Sequence, residues 1–180
     1  SPLAPFGGIE QFDWSKDSKQ IAYTCRKKEG VKYAVSTDSD IFLYNLETKK
    51  TVNLCKPTDY VEPEIDMTKT LRNQKVNHQD GDFNVGYDVN PKFSPDGKYI
   101  AWQSMKHDGY ESDRNRLCVY EFSTGKKTYV AEQFDSNVDD YVWTPNSKDL
   151  YFIGCWHATV NAYQTNLKGE VKQLTDGQHN

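Results

Sequence analysis

A chain of 180 residues with 36% hydrophobic, 13% aromatic and 27% charged residues has the makeup of an ordinary globular domain, neither disordered nor fibrous. No stretch approaches the roughly 18 uninterrupted apolar residues of a membrane helix, and Ser1-Pro-Leu-Ala-Pro5 has neither the basic start nor the apolar run of a signal peptide. A net charge of −4 without long like-charge runs gives no field for a phosphate backbone, so neither a membrane nor nucleic acid is an expected partner. Twelve Tyr, eight Phe and four Trp beside two Met suggest thin cores of aromatic and β-branched side chains, which favours β structure.

Taken in chain order, the first predicted unit is Trp14-Ser-Lys-Asp-Ser-Lys-Gln-Ile-Ala-Tyr23, a strand, a tight turn and a strand, followed by a hairpin pairing 41–46 with 51–54. A long connection follows, about Asp59 to Phe83, in which Ile65, Met67, Leu71 and Val76 fit neither strand nor helix period well and leave room for a short helix. Phe93-Ser-Pro-Asp-Gly-Lys-Tyr-Ile-Ala-Trp102 then repeats the first unit without gaps, and residues 117–122 and 127–130 repeat its hairpin. The third copy is Trp143-Thr-Pro-Asn-Ser-Lys-Asp-Leu-Tyr-Phe152 with a hairpin of 162–167 and 171–174. Pro95 and Pro145 suit the first central position of a type I turn, and Asp17-Ser18, Asp96-Gly97 and Asn146-Ser147 supply side-chain caps and tolerance of unusual φ.

Phe93 lies 50 positions before Trp143 but 79 after Trp14, and the long connection accounts for nearly all of the excess. A four-stranded antiparallel unit recurring at about 50 residues is the mark of a β-propeller blade. The expected fold is therefore all-β, a partial propeller of three blades truncated at both ends. The blades fall at 9–57, 91–132 and 138–175, with an insertion at 58–90 and the start of a further blade at 176–180. Three blades do not close a ring, so apolar faces on the first and third leave homo-oligomer formation open. Cys25, Cys55, Cys118 and Cys155 fit no CxxC pattern and read as buried free thiols.

The Phe93 to Trp102 segment is similar to the TolB-like propeller repeat. The longer stretch from Gly86 to Leu117, including Phe-Ser-Pro-Asp-Gly-Lys-Tyr-Ile-Ala-Trp-Gln-Ser-Met-Lys-His-Asp-Gly-Tyr-Glu-Ser-Asp-Arg-Asn-Arg, resembles the propeller of bacterial dipeptidyl and acylaminoacyl peptidases of the prolyl oligopeptidase family. That resemblance implies a peptide substrate and a separate α/β-hydrolase domain with a Ser-Asp-His triad. This chain has no Gly-x-Ser-x-Gly elbow for His78, His107, His157 or His179 to serve, so no catalytic residue is expected in it. The resemblance also leaves a periplasmic or otherwise exported parent protein as the expectation, with a cytoplasmic one as the alternative. A TolB-like scaffold that binds a protein partner without any hydrolase is the competing function.

Gly109-Tyr-Glu-Ser-Asp-Arg-Asn-Arg116 falls between the second and third strands of the middle blade, at a rim where substrates pass. Glu111 or Asp113 suits a substrate's α-ammonium, and Arg114 or Arg116 a peptide carbonyl, with Tyr110 beside them. The competing reading is a local Asp113–Arg116 ion pair over a packed Tyr110. Asp80, Asp82 and Asp88 lack the spacing of a calcium loop and read as a solvated acidic stretch, and Trp156-His157 reads as an aromatic plug between blades or a lining of the channel. No cofactor and no metal are expected.

Overall fold

The computed structural model describes residues 11–30, 32–64, 66, 68–69, 84–109 and 113–177. Three four-stranded antiparallel sheets follow one another along the chain, each a meander in which every strand pairs with the next. The first contains β1 (Phe12–Trp14), β2 (Gln20–Cys25), β3 (Asp40–Asn45) and β4 (Thr51–Asn53). The second contains β5 (Asp88–Phe93), β6 (Tyr99–Ser104), β7 (Arg116–Glu121) and β8 (Lys127–Tyr129). The third contains β9 (Asp140–Trp143), β10 (Asp149–Trp156), β11 (Thr159–Asn166) and β12 (Val171–Gln173). Among the described residues no helix is long and apolar enough to cross a membrane.

The repeated turns share one bonding scheme. Asp17, Asp96 and Asn146 each accept the hydroxyl of the residue two positions back, Ser15, Ser94 and Thr144, at 2.6–2.7 Å, and the backbone N–H two positions ahead at 3.0–3.1 Å. The third turn residue has positive φ in every copy: 57° at Ser18, 75° at Gly97 and 60° at Ser147. The same side-chain cap closes the turn in every copy, with or without the proline and the glycine.

Period-2 alternation sends the two faces of the middle sheet into two cores. Ile100, Trp102 and Cys118 meet Ala22, Ile41, Leu43, Leu54 and Cys55 of the first sheet, whereas Ala101 and Val119 meet Tyr141, Leu150 and Phe152 of the third. Bonds from side chain to main chain cross both seams. Asp13 Oδ2 accepts the Phe93 N–H at 2.8 Å, Trp143 Nε1 donates to the Lys92 carbonyl at 2.9 Å, and the Tyr141 hydroxyl lies 2.7 Å from the Asn90 and Ala101 carbonyls. The outer face of the third sheet is uncovered, with Tyr151 40% and Ile153 44% exposed.

Several expectations need correction. All four cysteines are free, but only Cys55 and Cys118 are buried; Cys155 is exposed because it alternates outward on β10 with Tyr151 and Ile153, and Cys25 is half-buried. A one-turn helix, α1 (Lys32–Val35), interrupts the link between β2 and β3. Arg26 holds it from outside, stacking on Tyr33 at 4.0 Å and donating to the Ser36 carbonyl at 3.0 Å. Trp156 ends β10 half exposed and stacks on His157 at 4.6 Å, at a tight turn where His157 and Ala158 both have positive φ. The helix considered near Ile65 to Val76 falls largely outside the described residues, as do Asp80, Asp82, His78, His179 and residues 178–180.

Candidate functional site

In each meander the link between the second and third strands emerges at the same end as the connection leaving the fourth strand. These segments gather into one rim, and the bonds between them show it. Asp108, in the link between β6 and β7, accepts the Ser36 hydroxyl at 2.8 Å and the Thr37 and Asp38 N–H groups at 2.8 and 3.0 Å, so the second blade's rim loop is seated on the first blade's. On the other side, the Asn115 N–H donates to Asn137 Oδ1 at 2.8 Å, and the Ser136 hydroxyl donates to the Cys155 carbonyl.

Within that loop Asp113 turns inward on its own backbone. Its Oδ2 accepts the N–H groups of Lys106 and His107 at 2.8 and 2.9 Å and lies 3.0 Å from His107 Nδ1, while Oδ1 accepts the Arg114 N–H. Partial burial works against the charge, but these N–H groups outweigh it and hold the carboxyl below the ordinary aspartate value. Neither arginine pairs with Asp113. Arg114 donates to the Phe134 carbonyl at 3.0 Å and lies 3.4 Å from Asp135 and 3.6 Å from Glu132, and Arg116 places its guanidinium 3.9 Å over the Tyr129 ring. Their partners come from β8 and the connection after it, which local spacing does not reveal. Tyr110 and Glu111 lie outside the described residues.

Behind the rim, two sets of buried polar side chains that the sequence does not reveal face the seam between the first two blades. Lys56 donates to both oxygens of Asp38 at 2.6 Å and to Asp40 at 2.8 Å; Lys28 donates to Asp38 at 2.8 Å and to Glu62. Burial disfavours the Lys56 charge, yet the two carboxylates hold its pKa above the ordinary value, and burial lifts Asp38 to about 6 against the pull of Lys56. Asp88 is not part of a solvated acidic stretch: it opens β5 with no exposed surface and accepts Trp102 Nε1 at 2.7 Å and Asn84 Nδ2 at 2.8 Å. Burial pushes its carboxyl up to about 7, against the hydrogen bonds of Ser104 and Asn84. No local spacing signals this seam, because its side chains come from positions far apart in the chain and meet only in the fold.

No family model matches the sequence. The chain is 44% identical over 180 residues to the dipeptidyl-peptidase 5 of Porphyromonas gingivalis, covering 99% of this chain and 22% of that protein. It is 37% identical over 179 residues to the dipeptidyl-peptidase 5 of Porphyromonas endodontalis, with the same two coverages, 99% and 22%. The chain is homologous to a segment of the dipeptidyl-peptidase 5 proteins. It spans a little over a fifth of the length of these relatives, and the matched segment takes in the rim loop described above. Among solved structures, TolB from Acinetobacter baumannii superposes with a TM-score of 0.55 at 19% identity, over 92% of this chain and 32% of its own. A puromycin-hydrolyzing peptidase of Mycobacterium tuberculosis gives 0.60 at 14% identity, over 93% and 23%. Identities this low speak for the fold alone, which is that of a partial β-propeller with TolB-like repeats.

Proposed function

We propose that this segment belongs to the propeller of a dipeptide-releasing serine peptidase, where it gates and orients peptides over an α/β-hydrolase domain outside this chain. The observation that supports the reading is the homology to dipeptidyl-peptidase 5 across 99% of the chain. The rim geometry narrows the assignment. Of the three acids between Met105 and Arg116, Asp108 and Asp113 commit their carboxylates to hydroxyl and N–H donors of the protein itself. Glu111 is the third, and we assign it to the substrate's α-ammonium group, with Asp113 as a positioning residue that braces the loop.

In the full-length enzyme, Glu111→Gln is expected to lower kcat/KM for dipeptide p-nitroanilides with a free amino terminus. Loss of a hydrogen bond to a charged group, about 1.5–3 kcal/mol, corresponds to roughly tenfold to a hundredfold. N-blocked substrates present no ammonium and should lose far less. Equal losses on both substrate classes would reject the assignment.

A further inference from the structure

The seam between the first two blades holds three buried side chains that the peptidase reading leaves unused. Asp40 opens β3, Cys55 follows β4 and Asp88 opens β5; one carboxylate oxygen from each aspartate and the Cys55 Sγ all lie within 4.8 Å of one another. Asp88 Oδ1 is fixed by Trp102 and Asn84, but its Oδ2 is buried with no hydrogen-bond partner. Asp88 also makes no ion pair among the described residues: Lys56 is shared by Asp38 and Asp40, Lys28 by Asp38 and Glu62, and Lys127 donates to the Cys55 carbonyl and to Asn84 Oδ1. A fully buried carboxylate oxygen with no hydrogen-bond partner is costly to keep charged, and a bound cation relieves that cost as a proton does.

We propose that Asp40, Cys55 and Asp88 form a binding site for a divalent cation of borderline softness, with Zn2+ the first choice. A thiolate beside two carboxylates suits zinc and disfavours magnesium and calcium, which take all-oxygen shells. With Zn–S about 2.3 Å and Zn–O about 2.0–2.2 Å, a tetrahedral ion holds its ligand atoms roughly 3.3–3.7 Å apart, within the span these atoms already occupy. Each ligand has the outer bond that orients it: Ile41 N–H to Cys55 Sγ at 3.3 Å, Asn53 Nδ2 to Asp40 Oδ2 at 2.9 Å, and Trp102 and Asn84 to Asp88 Oδ1. Water takes the fourth position. On binding, the Cys55 S–H bond is replaced by a sulfur–zinc bond and its proton leaves to solvent, so uptake strengthens as pH rises. Asp40 and Cys55 belong to the first blade and Asp88 to the second, so the ion also ties the blades together.

The test uses the full chain, stripped with chelator and then given Zn2+ or Co2+ alone. One ion per chain is expected, with a sulfur-to-cobalt charge-transfer band for Co2+ and a raised Tm for Zn2+. Cys55→Ser and the near-isosteric Asp88→Asn should each weaken binding at least tenfold, and Cys155→Ser on the third blade should leave it unchanged. X-ray absorption of zinc on the unaltered chain gives a readout that does not depend on any variant folding: it should show one sulfur neighbour and a shell of oxygens. Failure of the folded chain to take up either ion, a shell without sulfur, or binding that survives both substitutions would overturn the site. None of these readouts involves peptide hydrolysis, so the result stands apart from the fate of the peptidase reading.

Discussion

Gly86 marks the point where the second blade begins, and a single methyl group there probes how closely two main chains pack. A Cβ at this position would lie 2.2 Å from the Met105 carbonyl oxygen and 2.7 Å from its carbon, and neither is the tip of a flexible side chain. The Gly86 carbonyl accepts the Ser39 N–H at 3.2 Å, and the neighbouring Tyr87 carbonyl accepts the Met105 N–H at 3.0 Å, so relieving the overlap gives up one or both bonds. Overpacking strain of about 1–3 kcal/mol and one or two lost hydrogen bonds at roughly 1 kcal/mol each place the cost of Gly86→Ala at about 2–5 kcal/mol. Gly97→Ala is the control. Its Cβ meets nothing within 4 Å, but φ is +75°, so only the left-handed backbone penalty of about 1–2 kcal/mol applies. Urea unfolding followed by fluorescence, with Trp102 buried in the affected seam, compares the two variants. Should Gly86→Ala prove no more destabilising than Gly97→Ala, the steric reasoning fails.

Lys56→Met removes the ammonium shared by two buried carboxylates and should cost about 3–5 kcal/mol of unfolding free energy, the range for an uncompensated buried charge; a loss below about 1 kcal/mol by the same assay would mean that water reaches Asp38 and Asp40. Asp113 predicts a pH dependence with a definite sign. Its folded pKa lies below its unfolded one, so its contribution is complete above the ordinary carboxylate range near about 4 and is lost as pH falls through the lower folded value. Denaturation between neutral and acidic pH should therefore show a flatter acid limb for Asp113→Asn than for the parent chain, and parallel limbs would refute the link.

The sequence disclosed what is local. Blade number, strand order and turn chemistry follow from Ser15-Lys-Asp17, Ser94-Pro-Asp96 and Thr144-Pro-Asn146, whose caps reach only two positions either way. What stayed hidden depends on residues distant in the chain. Asp88 looks solvated beside Asp80 and Asp82 until the partner 14 positions away, Trp102, is known. Arg114 and Arg116 sit close enough to Asp113 to suggest an ion pair, yet the main chain of the loop satisfies that carboxylate first, and Glu132, Asp135 and Tyr129 draw the guanidinium groups away. The α1 turn has no periodic signal because Arg26, outside it, supplies the packing.

The bonds that cross the seams carry an evolutionary consequence. Asp13, Tyr141 and Trp143 make their hydrogen bonds to the backbone of the adjoining blade at Phe93, Asn90, Ala101 and Lys92, while ring contacts of Tyr141 with Lys92 and of Trp143 with Tyr99 cross the same seam. A carbonyl or an N–H is present whatever residue stands at the position. For these hydrogen bonds, substitutions on the receiving strand call for no matching substitution on the donor, provided the strand keeps its path and does not acquire a proline where an N–H is required; only the side-chain pairs, such as Lys92 with Asp140, must change together. Blades joined in this way can diverge one at a time, so a propeller keeps its geometry long after sequence likeness between its neighbours has faded.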